Sequence, residues 1–274
     1  MAMIAFAANS LLCRMALGTG LIDAASFATI RVVAGAVILM LLALPRWRAR
    51  GREKADVIAV ATLFLYMAFF SFAYLSLAAG TGALILFGTV QLTMFTAALH
   101  GGERFPPASW LGLTIALSGL IYLVSPGLTA PEPQGAVLMT VAGIAWGIYS
   151  LRGRLAADAL GSTANSFIFS VPLVVAVSLF ALPNAQTSPA GVGLAIASGA
   201  VASALGYVVW YAALRGLTAG RAATVQLSVP IIAAFGGVVL LAEGVSVRLL
   251  IASVATLGGI WIVLVQRDRD ANVR

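Results

Sequence analysis

Very little in this chain could make or break covalent bonds. A single cysteine, Cys13, rules out an internal disulfide and any multi-cysteine metal site. The single histidine, His100, ends an apolar run, and the single lysine, Lys54, sits in no glycine-rich phosphate loop. Neither a Gly-x-Ser-x-Gly elbow nor an HExxH helix is present. No two carboxylates share an apolar segment, which excludes an intramembrane aspartyl pair. The expectation is therefore no catalytic residues, no metal and no cofactor. Charge is the scarcest resource: 9% of the 274 residues are Asp, Glu, Lys or Arg, against about a quarter in soluble domains. With 61% hydrophobic residues and a mean hydropathy of +1.04, the chain cannot cover a water-facing surface.

What is abundant is apolar runs of the length that crosses a bilayer. Charges, prolines and glycines divide them into ten predicted helices at about 1–17, 26–45, 55–78, 81–99, 107–124, 134–151, 163–182, 189–214, 219–241 and 247–265. A barrel would show short alternating segments instead. Placing the N-terminus in the cytoplasm puts 13 of the 16 basic residues in inner loops or the C-terminal tail, leaving only Arg14, Arg31 and Arg248 outside. Both termini are then cytoplasmic, in a bacterial inner membrane. The net charge of +7 reflects this scatter over loop ends and not a surface for nucleic acid.

The sequence also repeats itself. "IAFAANSLLCR" (Ile4–Arg14) returns 140 residues later as "IAWGIYSLRGR" (Ile144–Arg154). At the same offset Ser26 and Phe27 meet Ser166 and Phe167, Gly80 meets Gly220, Glu103 meets Glu243, and Gly119 meets Gly259. Five helices are followed by five more. Five is odd, so the second half starts on the opposite side of the membrane and is inverted relative to the first. The expected fold is an all-α integral membrane protein, with ten transmembrane helices in two inverted five-helix repeats around a central cavity. Residues 1–130 form the first repeat and 131–274 the second. About twenty residues of helix precede Arg154 but only thirteen precede Arg14, so the first helix is expected to be truncated, beginning upstream of Met1 in the native chain.

Four segments carry a family resemblance: "IAWG" opening a half, "FATIRVVAGAVILMLLAL" (Phe27–Leu44), "TVQLSVPIIAAFGGVVLLAEG" (Thr224–Gly244) and "GGIWIVLV" (Gly258–Val265). Together they resemble the EamA-type members of the drug/metabolite transporter superfamily over nearly the whole chain. The strongest piece is Pro230, thirteen residues before Glu243; the first half departs, with Val90 in the proline's place. The resemblance implies a ten-helix exporter of small metabolites, with aromatic amino acid exporters of the YddG type as the nearest kin.

Polar and aromatic faces inside the spans mark a candidate pathway. Trp146, Tyr149 and Ser150 share one helical face, and their repeat mates Phe6, Asn9 and Ser10 share another. Tyr66, Phe70 and Tyr74 form a stripe on the third span, as do Ser203, Tyr207 and Tyr211 on the eighth; Gln226 precedes Pro230 on the ninth. The candidate substrate-binding residues are Asn9, Ser10, Tyr66, Tyr74, Trp146, Tyr149, Ser150, Tyr207, Tyr211 and Gln226. Aromatic walls suit a mostly apolar or zwitterionic small molecule. With Arg14 and Arg31 read toward the outer ends, no cation is expected in the cavity, which disfavours phosphate esters.

Thr89, Thr93 and Thr96 read as helix packing, as do Gly112, Ala116 and Gly119 against Ala252, Thr256 and Gly259. Trp47, Trp110 and Trp261 read as interfacial anchors, Pro172 and Pro230 as kinks, and Glu103 and Glu243 as ties to an arginine or a helix N-terminus. None of the nine carboxylates lies mid-span, so the expected mechanism is alternating access by uncoupled facilitated diffusion of amino acids, aromatic ones first. A proton- or sodium-coupled carrier is the alternative, and a membrane scaffold or receptor the non-transport one. Expected partners are the small-molecule substrate and membrane lipid, with the protein a monomer or homodimer.

Overall fold

In a computed structural model, residues 1–102, 105–127, 130–154, 156–214 and 225–273 are described, with only the backbone for Arg50, Tyr211, Leu214 and residues 266–273. The described residues form helices joined by short loops, without a named strand. These are α1 (Ala2–Gly18), α2 (Ala24–Arg50), α3 (Val57–Ala73), α4 (Ala79–His100), α5 (Pro107–Val124), α6 (Pro133–Arg154) and α7 (Ala159–Ala181). The next span, α8, runs continuously through Pro189–Ile196, Ala197–Leu205 and Gly206–Leu214; α9 (Ser228–Leu241) and α10 (Val247–Val273) follow. Seven are long and apolar enough to cross a membrane, while α1, α3 and α9 are shorter apolar helices. The ninth is shorter than the sequence suggests because its expected start falls in 215–224, outside the described residues.

Local chemistry sets the helix ends. Asp23 caps α2, accepting from Ser26 N at 2.9 Å, and Asp56 caps α3, accepting from Ile58 N at 3.0 Å and Ala59 N at 3.3 Å. Proline opens α5 and α8, where its missing N–H has no partner to lose. Pro230 falls in the first turn of α9, three residues beyond an interruption at Leu227 that follows helical residues 225–226; its missing N–H leaves the helical ladder broken there, as expected of a kink. The middle of α8 is a π-helix over Ala197–Leu205. There α2 crosses very closely: a β-carbon on Gly199 would collide with the Arg31 carbonyl, and one on Gly35 would strike the Phe167 ring.

Helix pairing has a regular pattern. α5 packs on α10, α2 on α7 and α4 on α9; α3 packs on α6 and α7, as α1 and α2 pack on α8. α4 touches α6 as α9 touches α1. Replacing each helix by the one five later turns these pairs into one another. The α5–α10 seam uses the expected small residues: a β-carbon on Gly119 would lie 2.6 Å from Thr256 Oγ1, and that hydroxyl donates to Ala116 O at 3.4 Å. Thr93 and Thr96 donate to their own helix, and Thr89 and Thr93 fit against Gly143 and Gly147. Trp110 and Trp261 are about half exposed. Outward faces are apolar, with Val247, Val254, Phe180 and Phe235 exposed, a surface for lipid and not for water.

Loops alternate between the two ends of the bundle. At one end Ile22 pairs with Thr187, Ser76 donates to Glu132 at 3.2 Å, and Arg248 donates to the carbonyls of Leu123, Ser125 and Pro126. At the other end Arg152 bridges to Asp56 at 2.6 Å, Arg46 to Asp158 at 3.7 Å, and Arg52 donates to Asn165 at 2.6 Å.

Candidate functional site

The two repeated phrases face each other. Phe6 of α1 and Trp146 of α6 meet edge to face, ring centroids 6.2 Å apart. Around Trp146 stand Tyr66 at 4.8 Å, Tyr207 at 5.1 Å and Tyr149 at 5.5 Å. Phe6 also meets Tyr207 and Trp210, and Tyr66 continues through Phe70 to Tyr74. Each arrives by helical spacing: Tyr66, Phe70 and Tyr74 lie along one stripe of α3, and Trp146 and Tyr149 lie one turn apart on α6. All five expected aromatics with described side chains are buried.

Polar groups stitch this cluster together. Ser198 Oγ donates to Asn9 Oδ1 at 2.6 Å, Asn9 Nδ2 donates to Tyr66 Oη at 3.3 Å, and Arg31 Nη2 donates to the same oxygen at 3.2 Å. One chain of bonds thus joins α8, α1, α3 and α2. The cavity at its centre is lined by Phe6, Asn9, Tyr66, Trp146 and Tyr207, among others, and holds only about 10 Å³, about room for one water. The aromatic side chains fill it. A second cavity of about 250 Å³ lies between α2, α7 and α8, lined by Arg46 and Asp158 at the bundle end and by Tyr207 within. Tyr207 therefore stands between this vestibule and the centre.

The opposite end is tied shut. Glu243 Oε1 accepts from Arg14 Nε at 3.0 Å, and Oε2 accepts from Ala79 N, at the start of α4, at 2.8 Å. Arg14 Nη1 also donates to the carbonyls of Tyr74 and Leu75. The Glu243 tie expected from sequence is thus made twice over, to an arginine and to a helix N-terminus. Glu103, its repeat mate, lies outside the described residues.

The remaining expected residues distribute as follows. Ser10 is buried and lines the central cavity. Tyr74 is buried one turn toward the tied end, its hydroxyl donating to Ala79 O at 3.3 Å. Ser150 shares the face of Trp146, but its hydroxyl donates to Trp146 O at 2.7 Å; the carbonyl one turn back lies within its reach. Gln226 is buried two residues before α9 and is not among the residues that line the central cavity. The Tyr211 side chain lies outside the described residues.

One expectation is overturned. Arg31 is not at the outer rim: its side chain is 0% exposed, with Cζ 4.7 Å from the Phe70 ring centroid and 5.5 Å from that of Tyr66. The central cluster does hold a cation. The signal was available, since a charge seven residues inside an apolar helix is costly and tends to be functional. Phe70, named in the stripe but not as a site residue, and Ser198 also belong to the cluster. Among the described residues, no group of three or more His, Cys, Asp or Glu side chains could hold a metal ion.

Comparison with known proteins agrees with this architecture. Residues 133–265 match the EamA-like transporter family. An uncharacterized protein of Pseudomonas aeruginosa is 46% identical over 267 residues, covering 97% of this chain and 93% of that one. An uncharacterized transporter of Archaeoglobus fulgidus is 24% identical over 240 residues, 85% of this chain and 84% of its own length. A solved crystal structure shares the fold, with a TM-score of 0.66 at 20% identity over 96% of this chain and 97% of the other. With its bundle of lipid-facing apolar helices, the chain is an integral membrane protein, and its second half is similar to the EamA-like transporter family.

Proposed function

We propose that the protein exports small metabolites, amino acids and first of all aromatic ones, across the bacterial inner membrane by alternating access. The carrying observation is the aromatic cluster centred on Trp146, where helices from both halves meet, tied off at one end by Arg14 and Glu243 and approached by a vestibule from the other. Stacking and burial of apolar area would hold an aromatic body, with Asn9 and the tyrosine hydroxyls setting its orientation.

Ten crossings in two inverted repeats make exchange between two such states natural. The helix pairs that interchange on a five-helix shift support this reading, as does the alternation of loops between bundle ends. The 140-residue offset assigns Arg154 and Glu103 as mates of Arg14 and Glu243, so the sequence contains the residues for a like tie at the opposite end. The bias of basic residues supports cytoplasmic termini. Carboxylates confined to helix ends and loops support movement down the substrate's own gradient without ion coupling. The match of residues 133–265 to a transporter family supports a transporter and not an enzyme.

Purified protein in liposomes, preloaded with unlabelled phenylalanine, should accumulate labelled phenylalanine by counterflow without an imposed ion gradient. Failure to move any amino acid would sink the reading; dependence on a proton or sodium gradient would overturn the uncoupled mechanism alone.

A further inference from the structure

Arg31 carries chemistry that an aromatic pocket does not need. It lies seven residues into α2, about 10 Å from the helix start, and is fully buried. An arginine stays charged in a protein and offers five N–H donors. One contact reaches Tyr66 Oη, yet Nε and Nη1 meet no acceptor among the described residues. Nor does any described carboxylate pair with it. Asp23, at the start of the same helix, spends its oxygens on Ser26 N and Gln186 N, and Glu243 is committed to Arg14 and Ala79. The faces of Phe70 and Tyr66 offset part of the burial, but they leave those N–H groups unmet. Buried charges are ordinarily paired. Both rings that cover the guanidinium also line the central cavity, so movement of either ring opens it to whatever enters.

We propose that Arg31 is the carboxylate anchor of the central site. The substrate is a small monoanionic carboxylate with an aromatic or apolar body. Its carboxylate accepts from the unfilled guanidinium N–H groups, and its body stacks among Trp146, Tyr207 and Phe6. Tyr66, which accepts from both Arg31 and Asn9, lies 4.8 Å ring to ring from Trp146 and so links the anchor to the aromatic cluster. A single cation suits a monoanion better than a dianionic phosphate ester and repels cationic compounds. The amine of an amino acid has no carboxylate partner in this cluster, so acids without an amine fit as well as amino acids do. This inference rests on the transport reading above and narrows its substrate class.

The test uses four probes of one size: phenylalanine, 3-phenylpropionate, phenethylamine and phenylalanine amide. Binding to the purified full chain is read by tryptophan fluorescence, and movement by counterflow in liposomes. The wild-type protein should bind the two carboxylates roughly 10–100-fold tighter than the amine and the amide. Arg31→Lys should keep that preference with weaker binding, and Arg31→Gln should lose it. Equal binding of all four by the wild type, binding of none, or a preference that survives in Arg31→Gln would overturn the anchor. The wild-type comparison stands even where the Gln variant fails to fold. Carboxylates that bind but never cross would sink the transport reading while the anchor stands; transport that favours the amine would do the reverse.

Discussion

Replacing Glu243 by Gln should loosen the tied end of the bundle by a measurable amount. Its carboxylate accepts from Arg14 at 3.0 Å and from Ala79 N at 2.8 Å, with the Arg14 and Glu243 side chains 25% and 15% exposed. A hydrogen bond to a charged group contributes about 1.5–3 kcal/mol, less where water screens it. The amide oxygen of Gln can still accept from Ala79 N, so the net loss is about 1–2 kcal/mol, a factor of about 5–30 in an equilibrium. If the tie holds this end closed, the open population rises by that factor. Cys13 is the only cysteine, directly precedes Arg14 and is fully buried, so it reports the opening without engineering. Alkylation by a membrane-impermeant maleimide should be slow in wild-type right-side-out vesicles and roughly 5–30-fold faster in Glu243→Gln. An unchanged rate in a variant with unchanged melting temperature would refute the gating role. A rise seen only in inverted vesicles would refute the assigned orientation.

Three further outcomes are expected. Trp146→Ala removes four aromatic contacts, each contributing about 0.5–1.5 kcal/mol, and should weaken binding of an aromatic substrate at least tenfold in a titration. Gly259→Val places a β-carbon against Gly112 O and Ala116 N; such overpacking costs about 1–3 kcal/mol and should lower the melting temperature in detergent, whereas Gly258→Ala, with open space around it, should not. Burial pushes the Asp56 carboxyl up, but the Arg152 hydrogen bond, the N–H groups of Ala59 and Ile58 and the Arg152 charge hold it below the ordinary carboxylate range. A depressed folded-state value means that the stabilisation is fully present above the unfolded value of about 3.9 and disappears as pH falls through the folded one. Melting temperatures should therefore differ between wild type and Asp56→Asn at about pH 6 and converge as the pH falls through the depressed folded-state value; a difference that persists once the carboxyl is protonated would exclude the ion pair as its source.

Much of the fold was legible because lipid imposes a simple rule: a backbone in hydrocarbon must satisfy its own hydrogen bonds, so long apolar runs become helices. Positions 107–124 and 189–214 carry the helices read from the sequence, and the small residues of α5 and α10 do pack together. The Glu243 tie was legible too, since a carboxylate just past an apolar run needs a partner at the bundle end. Depth and direction were not. Arg31 looked peripheral because a run of letters does not record where a long side chain turns, and only packing against α3 placed its guanidinium over Phe70. Ser150 looked available because helical spacing puts it beside Trp146, while its proton goes to its own helix. The π-helical stretch of α8 has the composition of an ordinary helix; its widened turn accompanies the approach of α2 at Gly199. The sequence alone therefore determined which segments are helical and apolar, because composition and periodicity are local properties. Tertiary structure decided which polar groups those helices bury together, because a charge acquires its role from neighbours far away in the chain.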